Sequence, residues 1–249
     1  ESLLKRAVPC VRGCSWKLFD TDETGFEEAE KVCKDADFIV ACVGEHMLNS
    51  GEAHSRADIR IPGIQRKFIA RLHKLNKPLA LVVFGGRPLA LSDVEKLADA
   101  ILYVWQPGTE GGNAIANLIY GKANPCGKTV MSFPRAVGQC PIYYNHFSTA
   151  RPKRKDIPSF YSDERFRSGY DDEYNSPLYP FGYGLSYTKF EYSDLKLSAK
   201  KLNRGGKITA NVKLKNVGKK DGFETVQWYL HDLFASVVRP VKELKGYER

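Results

Sequence analysis

The apolar residues of this chain follow two different rhythms. In the first half they form short continuous blocks, Phe38–Val43, Pro78–Phe84 and Ala100–Trp105. Unbroken runs of this length, bounded by turn residues, predict strands buried on both faces, as in a parallel sheet. Between the blocks the period lengthens. Phe26, Ala29 and Cys33 share one face of a predicted helix over 26–34, with acids early and lysines late as the helix dipole prefers. Ile64, Phe68, Leu72 and Leu75 recur at helical spacing from Pro62, a residue suited to a first helical turn, through Asn76. Ser92 and Glu95 match a capping box that opens a short helix to Ala98. A further helix is predicted over 113–120, with Ile115, Leu118 and Ile119 inward, and Lys128–Phe133 is a fourth strand candidate.

Helices alternating with apolar strands across short connections predict an α/β sandwich: a mostly parallel sheet with helices on both faces, over residues 1–135. Residues 136–188 are rich in Pro, Tyr, Gly and charge without a sustained period, and read as an irregular connection packed on that sheet through its aromatics. From 189 to 249 the rhythm becomes strict alternation. Ile208, Ala210, Val212 and Leu214 fall on one face, and Val226, Trp228 and Leu230 alternate again after a turn cluster. That is the pattern of half-buried antiparallel strands in a β-sandwich. The stretch is shorter than the ~100 residues of an immunoglobulin-type sandwich, so it reads as a truncated second domain.

Composition narrows the classes. The chain has 249 residues, 43% hydrophobic and 12% aromatic, the profile of a folded globular protein. No apolar run approaches the ~18 residues of a membrane-spanning helix. Glu1–Arg6 is followed by no signal-peptide core and there is no initiator Met, so the sequence reads as an internal piece of something longer. The net charge is +9, densest at Arg151-Pro152-Lys153-Arg154-Lys155, which reads as a solvated loop. No RNA-binding, zinc-finger or helix-turn-helix signature accompanies it, so neither a nucleic-acid nor a membrane partner is expected. The six cysteines form no CxxC pair. Cys33 and Cys42 are expected as buried thiols, and Cys10 and Cys14 are near enough in sequence to pair in an oxidising compartment.

Chemistry concentrates in one loop, from Val43-Gly44-Glu45-His46 to Gly51-Glu52-Ala53-His54-Ser55-Arg56. It leaves a buried strand, where open α/β sheets place ligand chemistry. Two glutamates there invite a general-acid reading, although composition alone also fits a solvated surface loop. The turns after Val43, Phe84 and Trp105 all leave the carboxyl ends of parallel strands. Glu45, Glu52, Arg56, Arg87, Trp105 and Glu110 therefore become candidates for one crevice. His46 and His54 lack partners in metal-ligand order and read as loop histidines, so no metal is expected. Gly108–Gly112 lacks dinucleotide spacing, no P-loop occurs, and Gly182-Tyr183-Gly184-Leu185-Ser186 is no nucleophile elbow. A flavodoxin-like nucleotide-binding domain fails for want of phosphate glycines.

Taken in order, these segments resemble glycoside hydrolase family 3. The likeness runs through Gly44-Glu45, Gly51-Glu52-Ala53-His54-Ser55-Arg56, Ile61-Pro62-Gly63-Ile64-Gln65, Gly86-Arg87-Pro88-Leu89 and Trp105-Gln106-Pro107-Gly108-Thr109-Glu110-Gly111-Gly112. It continues through Asn124–Lys128, Phe133-Pro134-Arg135, Pro141–His146 and Pro180-Phe181-Gly182-Tyr183-Gly184-Leu185-Ser186-Tyr187. Lys215-Asn216-Val217-Gly218 and Arg239–Tyr247 are similar to the fibronectin type III-like module that follows in many β-glucosidases. The nearest likeness is to bacterial β-glucosidase and β-xylosidase members.

The resemblance implies a retaining hydrolysis of terminal β-D-glycosyl residues, with two carboxylates ~5–5.5 Å apart across the scissile bond and no cofactor. Glu52 matches the acid/base, whose pKa partial burial or a neighbouring negative charge would raise. Arg56 would organise the loop or reach a sugar hydroxyl, Glu45 is the second choice for the acid/base but would rather orient the loop at the substrate site, and Trp105 would line that site. The family's nucleophile is an Asp in a Ser-Asp-Trp motif on an N-terminal (β/α)8 barrel. Ser92-Asp93, Ser162-Asp163 and Ser193-Asp194 lack the Trp and the context. The barrel thus becomes an expected partner beside a β-glucoside or oligosaccharide substrate, and the chain alone is expected to be inactive. The parent is expected to be secreted or periplasmic. The competing expectations are a non-catalytic carbohydrate-binding or assembly module and a β-xylosidase fragment.

Overall fold

The computed structural model describes residues 8–158, 164 and 166–249. The Ser162-Asp163 pair lies outside the described residues. The first unit runs α1 (Phe26–Lys34), β1 (Ile39–Gly44), α2 (Gln65–His73), β2 (Leu79–Phe84), β3 (Ala100–Trp105) and α3 (Gly111–Ile119). The strands form a parallel sheet in the order β1-β2-β3. Ile39, Ala41 and Val43 of β1 and Leu79, Leu81 and Val83 of β2 belong to one core with Phe26 and Ala29 of α1 and Phe68, Ile69 and Leu72 of α2. The α/β sheet expected from the block pattern is therefore present.

Several local expectations are corrected. β1 is not buried on both faces: Val40 is 37% exposed and Cys42 is exposed, while Cys33 is half-buried against the core. As an edge strand, β1 receives cover only on the face toward α1 and α2. Helix α2 starts at Gln65, not Pro62, because Gly63 takes φ 60° in a preceding turn. It stops at His73, and Asn76 takes the left-handed conformation (φ 54°) that ends helices. The capping box at Ser92 does not form. Only a 3₁₀ turn spans Glu95–Leu97, and the buried Ser92 Oγ finds no partner. Helix α3 begins two residues early, at Gly111.

Residues 128–133 do not join the parallel sheet. They bond to the tyrosine-rich stretch that follows, through Thr129 N to Tyr183 O (2.7 Å), Phe133 N to Tyr179 O (2.8 Å) and Leu178 N to Phe133 O (2.8 Å). This places Phe133 against Tyr103 and Trp105 at the end of β3, ring centroids 4.8 and 5.7 Å away. Tyr179 of the following stretch meets the Phe133 ring at 6.0 Å and lies partly buried against the core.

The second unit consists of two antiparallel pairs, β4 (Phe190–Leu197) with β5 (Ala210–Asn216) and β6 (Val226–Leu230) with β7 (Glu243–Glu248). Ala210, Val212, Val226 and Trp228 are half-buried as the alternation predicts, but Leu214 and Leu230 on the same faces are exposed. Lys128 Nζ to Glu224 (3.1 Å) and Asn124 Nδ2 to Asp221 O (2.9 Å) tie this unit to the first. Among the described residues no helix is long and apolar enough to cross a membrane.

Candidate active site

The register aligns the carboxyl ends of the three strands, Gly44 beside Phe84 and Phe84 beside Trp105. Gly44 takes φ 128°, and a Cβ there would lie 1.9 Å from the Phe84 carbonyl oxygen, so only glycine lets the chain leave β1 at this point. The outer edge of Gly44 is completed by a side chain. Gln65 Oε1 accepts from Gly44 N (2.8 Å), while its Nε2 donates to Gly44 O (2.9 Å) and Pro62 O (3.2 Å). The buried Gln65 amide stands in for the next strand of the sheet.

Glu45 follows immediately, its N–H still bonded to Phe84 O (2.8 Å). Its side chain is 1% exposed and lies between two guanidinium groups. Arg56 Nη1 donates to Oε1 at 2.6 Å, and Arg87 Nε approaches both carboxylate oxygens at 3.1 Å. Each arginine also holds backbone. Arg87 Nη2 donates to Asn49 O (2.5 Å) and His54 O (3.1 Å), and Arg56 Nη2 to Arg60 O (3.1 Å). The Tyr103 hydroxyl donates to Arg87 O, and burial pushes that phenol well above its usual pKa. Gly86 lets the loop sit close: a Cβ there would meet Ser50 Oγ at 2.0 Å.

Within this frame the loop makes two tight turns. A 3₁₀ turn, Met47–Asn49, closes with Asn49 N to His46 O (2.8 Å). A second closes with His54 N to Gly51 O (3.2 Å) and puts Glu52 and Ala53 at its corners. Ala53 takes φ 60°, a conformation normally left to glycine at the third turn position. Such a strained residue persists only where its surroundings impose it. Glu52 is exposed at this tip, and its carboxylate has no partner among the described residues. The burial expected of it is not provided by this chain.

Of the six crevice candidates, the structure gathers Glu45, Arg56 and Arg87 into one ion cluster and holds the Glu52 turn against it through His54. Trp105 lies at the same sheet edge, where its carbonyl accepts from Gly85 N (3.2 Å), with its ring directed to Tyr103 and Phe133. Glu110 stands apart, exposed at the start of α3 and bonded to Asn113 Nδ2 at 2.8 Å. The sequence reading assigned no role to Gln65 or Tyr103. A glutamine on the inward face of α2, among Ile64, Phe68 and Ile69, was the available signal for Gln65; nothing distinguishes Tyr103 from a core aromatic. Among the described residues no group of three or more His, Cys, Asp and Glu side chains is arranged to hold a metal.

The profile of the glycosyl hydrolase family 3 C-terminal domain matches residues 4–187. This chain belongs to glycoside hydrolase family 3. A periplasmic β-glucosidase of Salmonella typhimurium is 51% identical over 223 residues, covering 90% of this chain and 28% of that protein. A β-xylosidase of Formosa agariphila is 38% identical over 96% of this chain and 31% of its own length. The crystal structure of a β-glucosidase from Listeria innocua in complex with gluconolactone matches with a TM-score of 0.86 at 40% identity, over 93% of this chain and 31% of that one. The family 3 chain therefore spans under a third of the length of these relatives. What its own residues supply is an arginine-clamped frame that presents one carboxylate, unpaired among the described residues, beyond the ends of the parallel strands.

Proposed function

We propose that this chain is the acid/base-bearing part of a retaining, exo-acting β-glycosidase of the β-glucosidase type. Glu52 would donate its proton to the glycosidic oxygen as the leaving group departs. It would then take a proton from the water that attacks the glycosyl-enzyme intermediate. The nucleophilic Asp would come from a barrel outside the given sequence, and so would the surfaces that enclose Glu52. One observation carries this reading: every other charged group of the loop is committed to its frame, whereas Glu52 is held out at a strained turn with no structural duty. Arg56 and Glu45 are then the frame and not sugar ligands, and Trp105 borders the site. The periplasmic relative supports an exported parent.

In the full-length enzyme, Glu52→Gln should lower kcat/KM on glycosides with poor leaving groups by ~10²–10⁴-fold, the usual worth of acid–base catalysis. Activated aryl glycosides need little protonation and should keep nearly their parent kcat/KM, while their kcat falls because deglycosylation loses its base, a loss that azide should rescue in place of the activated water. Equal loss on both classes without rescue would remove Glu52 from the role.

The 249-residue chain by itself should not turn over aryl β-glucosides, since it lacks a catalytic partner that acts as a unit with Glu52. Turnover by the purified chain would overturn the division of the site. The β-xylosidase relative supports a second reading of substrate, decided by the ratio of glucoside to xyloside turnover in the full-length enzyme.

A further inference from the structure

We infer that His46 is a positioning residue for the Glu52 loop, acting through an imidazole cap on the Met47–Asn49 turn and a stack on Trp16. The inference rests on the reading of Glu52 as proton donor.

His46 has extended backbone (ψ 152°) and precedes the 3₁₀ turn, the place where Ser, Asp or Asn usually accepts an otherwise unpaired N–H. Here the acceptor is Nδ1 of the ring, 3.2 Å from Leu48 N. A backbone N–H can only donate, so Nδ1 carries no proton and the neutral ring keeps its proton on Nε2. An imidazole in this position adds what a hydroxyl or carboxylate cap lacks, a flat face. That face lies on the Trp16 indole, with centroids 3.8 Å apart and planes 16° from parallel.

Trp16 is 39% exposed, but the chain on either side of it is held. It belongs to an amino-terminal segment clamped over α2: a Cβ on Gly13 would fall 2.0 Å from Phe68 Cζ, and one on Gly63 would fall 2.4 Å from Lys17 O. Phe68 belongs to the buried core. The chain segment 13–17 therefore links the core at Phe68, through the Trp16 ring, to His46, whose turn leads through Ser50 into the 51–54 turn that carries Glu52.

Met47 and Leu48, the first two residues of the Met47–Asn49 turn, are 72% and 56% exposed and add little apolar anchoring. Apart from His46, its fixed points are the ion cluster at Glu45 and the bond from Arg87 to Asn49 O. Without the stack and cap, residues 46–48 would depend on their neighbours, the ion cluster at Glu45 on one side and the Arg87 bond to Asn49 O on the other. Displacing a catalytic group by about 1 Å is enough to cost ~10²-fold in rate.

The test uses kcat/KM of the full-length enzyme on two aryl β-glucosides, one with a dinitrophenyl and one with a phenyl leaving group. His46→Ala should lower the value for the phenyl glucoside ~10-fold and leave the dinitrophenyl glucoside within ~2-fold, the mark of impaired protonation. Trp16→Ala should act in the same direction. The double variant should lose little beyond the worse single variant, since both break one contact. His46→Asn restores a cap acceptor and Trp16→Phe restores a stacking face, so each should recover most of the phenyl activity. The two conservative variants also keep the test open should His46→Ala fold poorly. Equal loss on both substrates, or no loss on either, would overturn the inference. Glu52→Ala on the same pair separates the two claims. If it shows no leaving-group dependence, the proton-donor reading fails and takes this inference with it. If it does and His46→Ala does not, only the positioning role falls.

Discussion

Glu45 and Glu52 stand seven positions apart in one loop, and their environments are opposite, one buried and paired, the other exposed. The Glu45 side chain is 1% exposed and holds Arg56 and Arg87, which in turn hold the backbone at Asn49, His54 and Arg60. Removing one partner of a buried ion pair strands the others, typically at about 3–5 kcal/mol. Glu45→Gln keeps some hydrogen bonding, so a loss of about 3 kcal/mol is expected, measured as a lowered urea midpoint with unchanged slope. Glu52→Gln touches an exposed, unpartnered side chain and should stay within about 0.5 kcal/mol of the parent. A stability loss at Glu52 as large as that at Glu45 would mean that its carboxylate serves the frame as well. Family likeness puts Glu52 first and Glu45 second as proton donor. What it could not supply was the physical cause, because two arginines 11 and 42 residues from Glu45 converge on it only in the folded sheet.

Elements were legible where one physical signal dominated and misread where two competed. Phe26–Lys34 has apolar spacing, early acids and late lysines in agreement, and the helix occupies those bounds. The apolar block at β1 reads as doubly buried, yet its position at the sheet edge leaves Val40 and Cys42 outside. Strand order is a tertiary fact that a local window does not contain. Lys128–Phe133 has strand composition, but its backbone partners are Tyr179 and Tyr183. The same edge position explains Gln65, whose amide satisfies both backbone groups of Gly44 where no strand follows. Gln65→Leu would keep the volume and leave a buried N–H and C=O unpaired. At about 1–3 kcal/mol for each unsatisfied group, a loss near 3 kcal/mol is expected in urea unfolding. The Glu45 frame begins one residue later, so thermolysin should also cut the loop faster in this variant than in the parent. An unchanged midpoint would show that water or a shifted strand end replaces the amide.

At the scale of the whole molecule the two units differ in how much apolar surface they cover. In the α/β unit Leu81, Val82 and Val83 are fully buried, and the strand face toward α1 and α2 is closed. In the β-sandwich unit Phe223, Phe234 and Val238 are 64%, 95% and 71% exposed, and Leu195, Leu197 and Leu230 are each more than half exposed. Cooperative stability follows buried apolar contact, so local opening should be far easier in the second unit. Hydrogen exchange followed by mass spectrometry is expected to show peptides spanning 39–44 and 79–84 exchanging on the order of 100-fold more slowly than those spanning 210–216 and 243–248. The loop at 45–56 should fall between them: its amides lie on the surface, but the arginine clamp ties it to the slow core. Equal protection in both units would mean that the contacts at Lys128–Glu224 and Asn124–Asp221 fuse them into one cooperative body. In that case a variant in either unit would loosen the Glu52 loop. Graded protection instead confines control of that loop to the α/β unit, where Gln65, Arg87 and Glu45 meet at the ends of the strands.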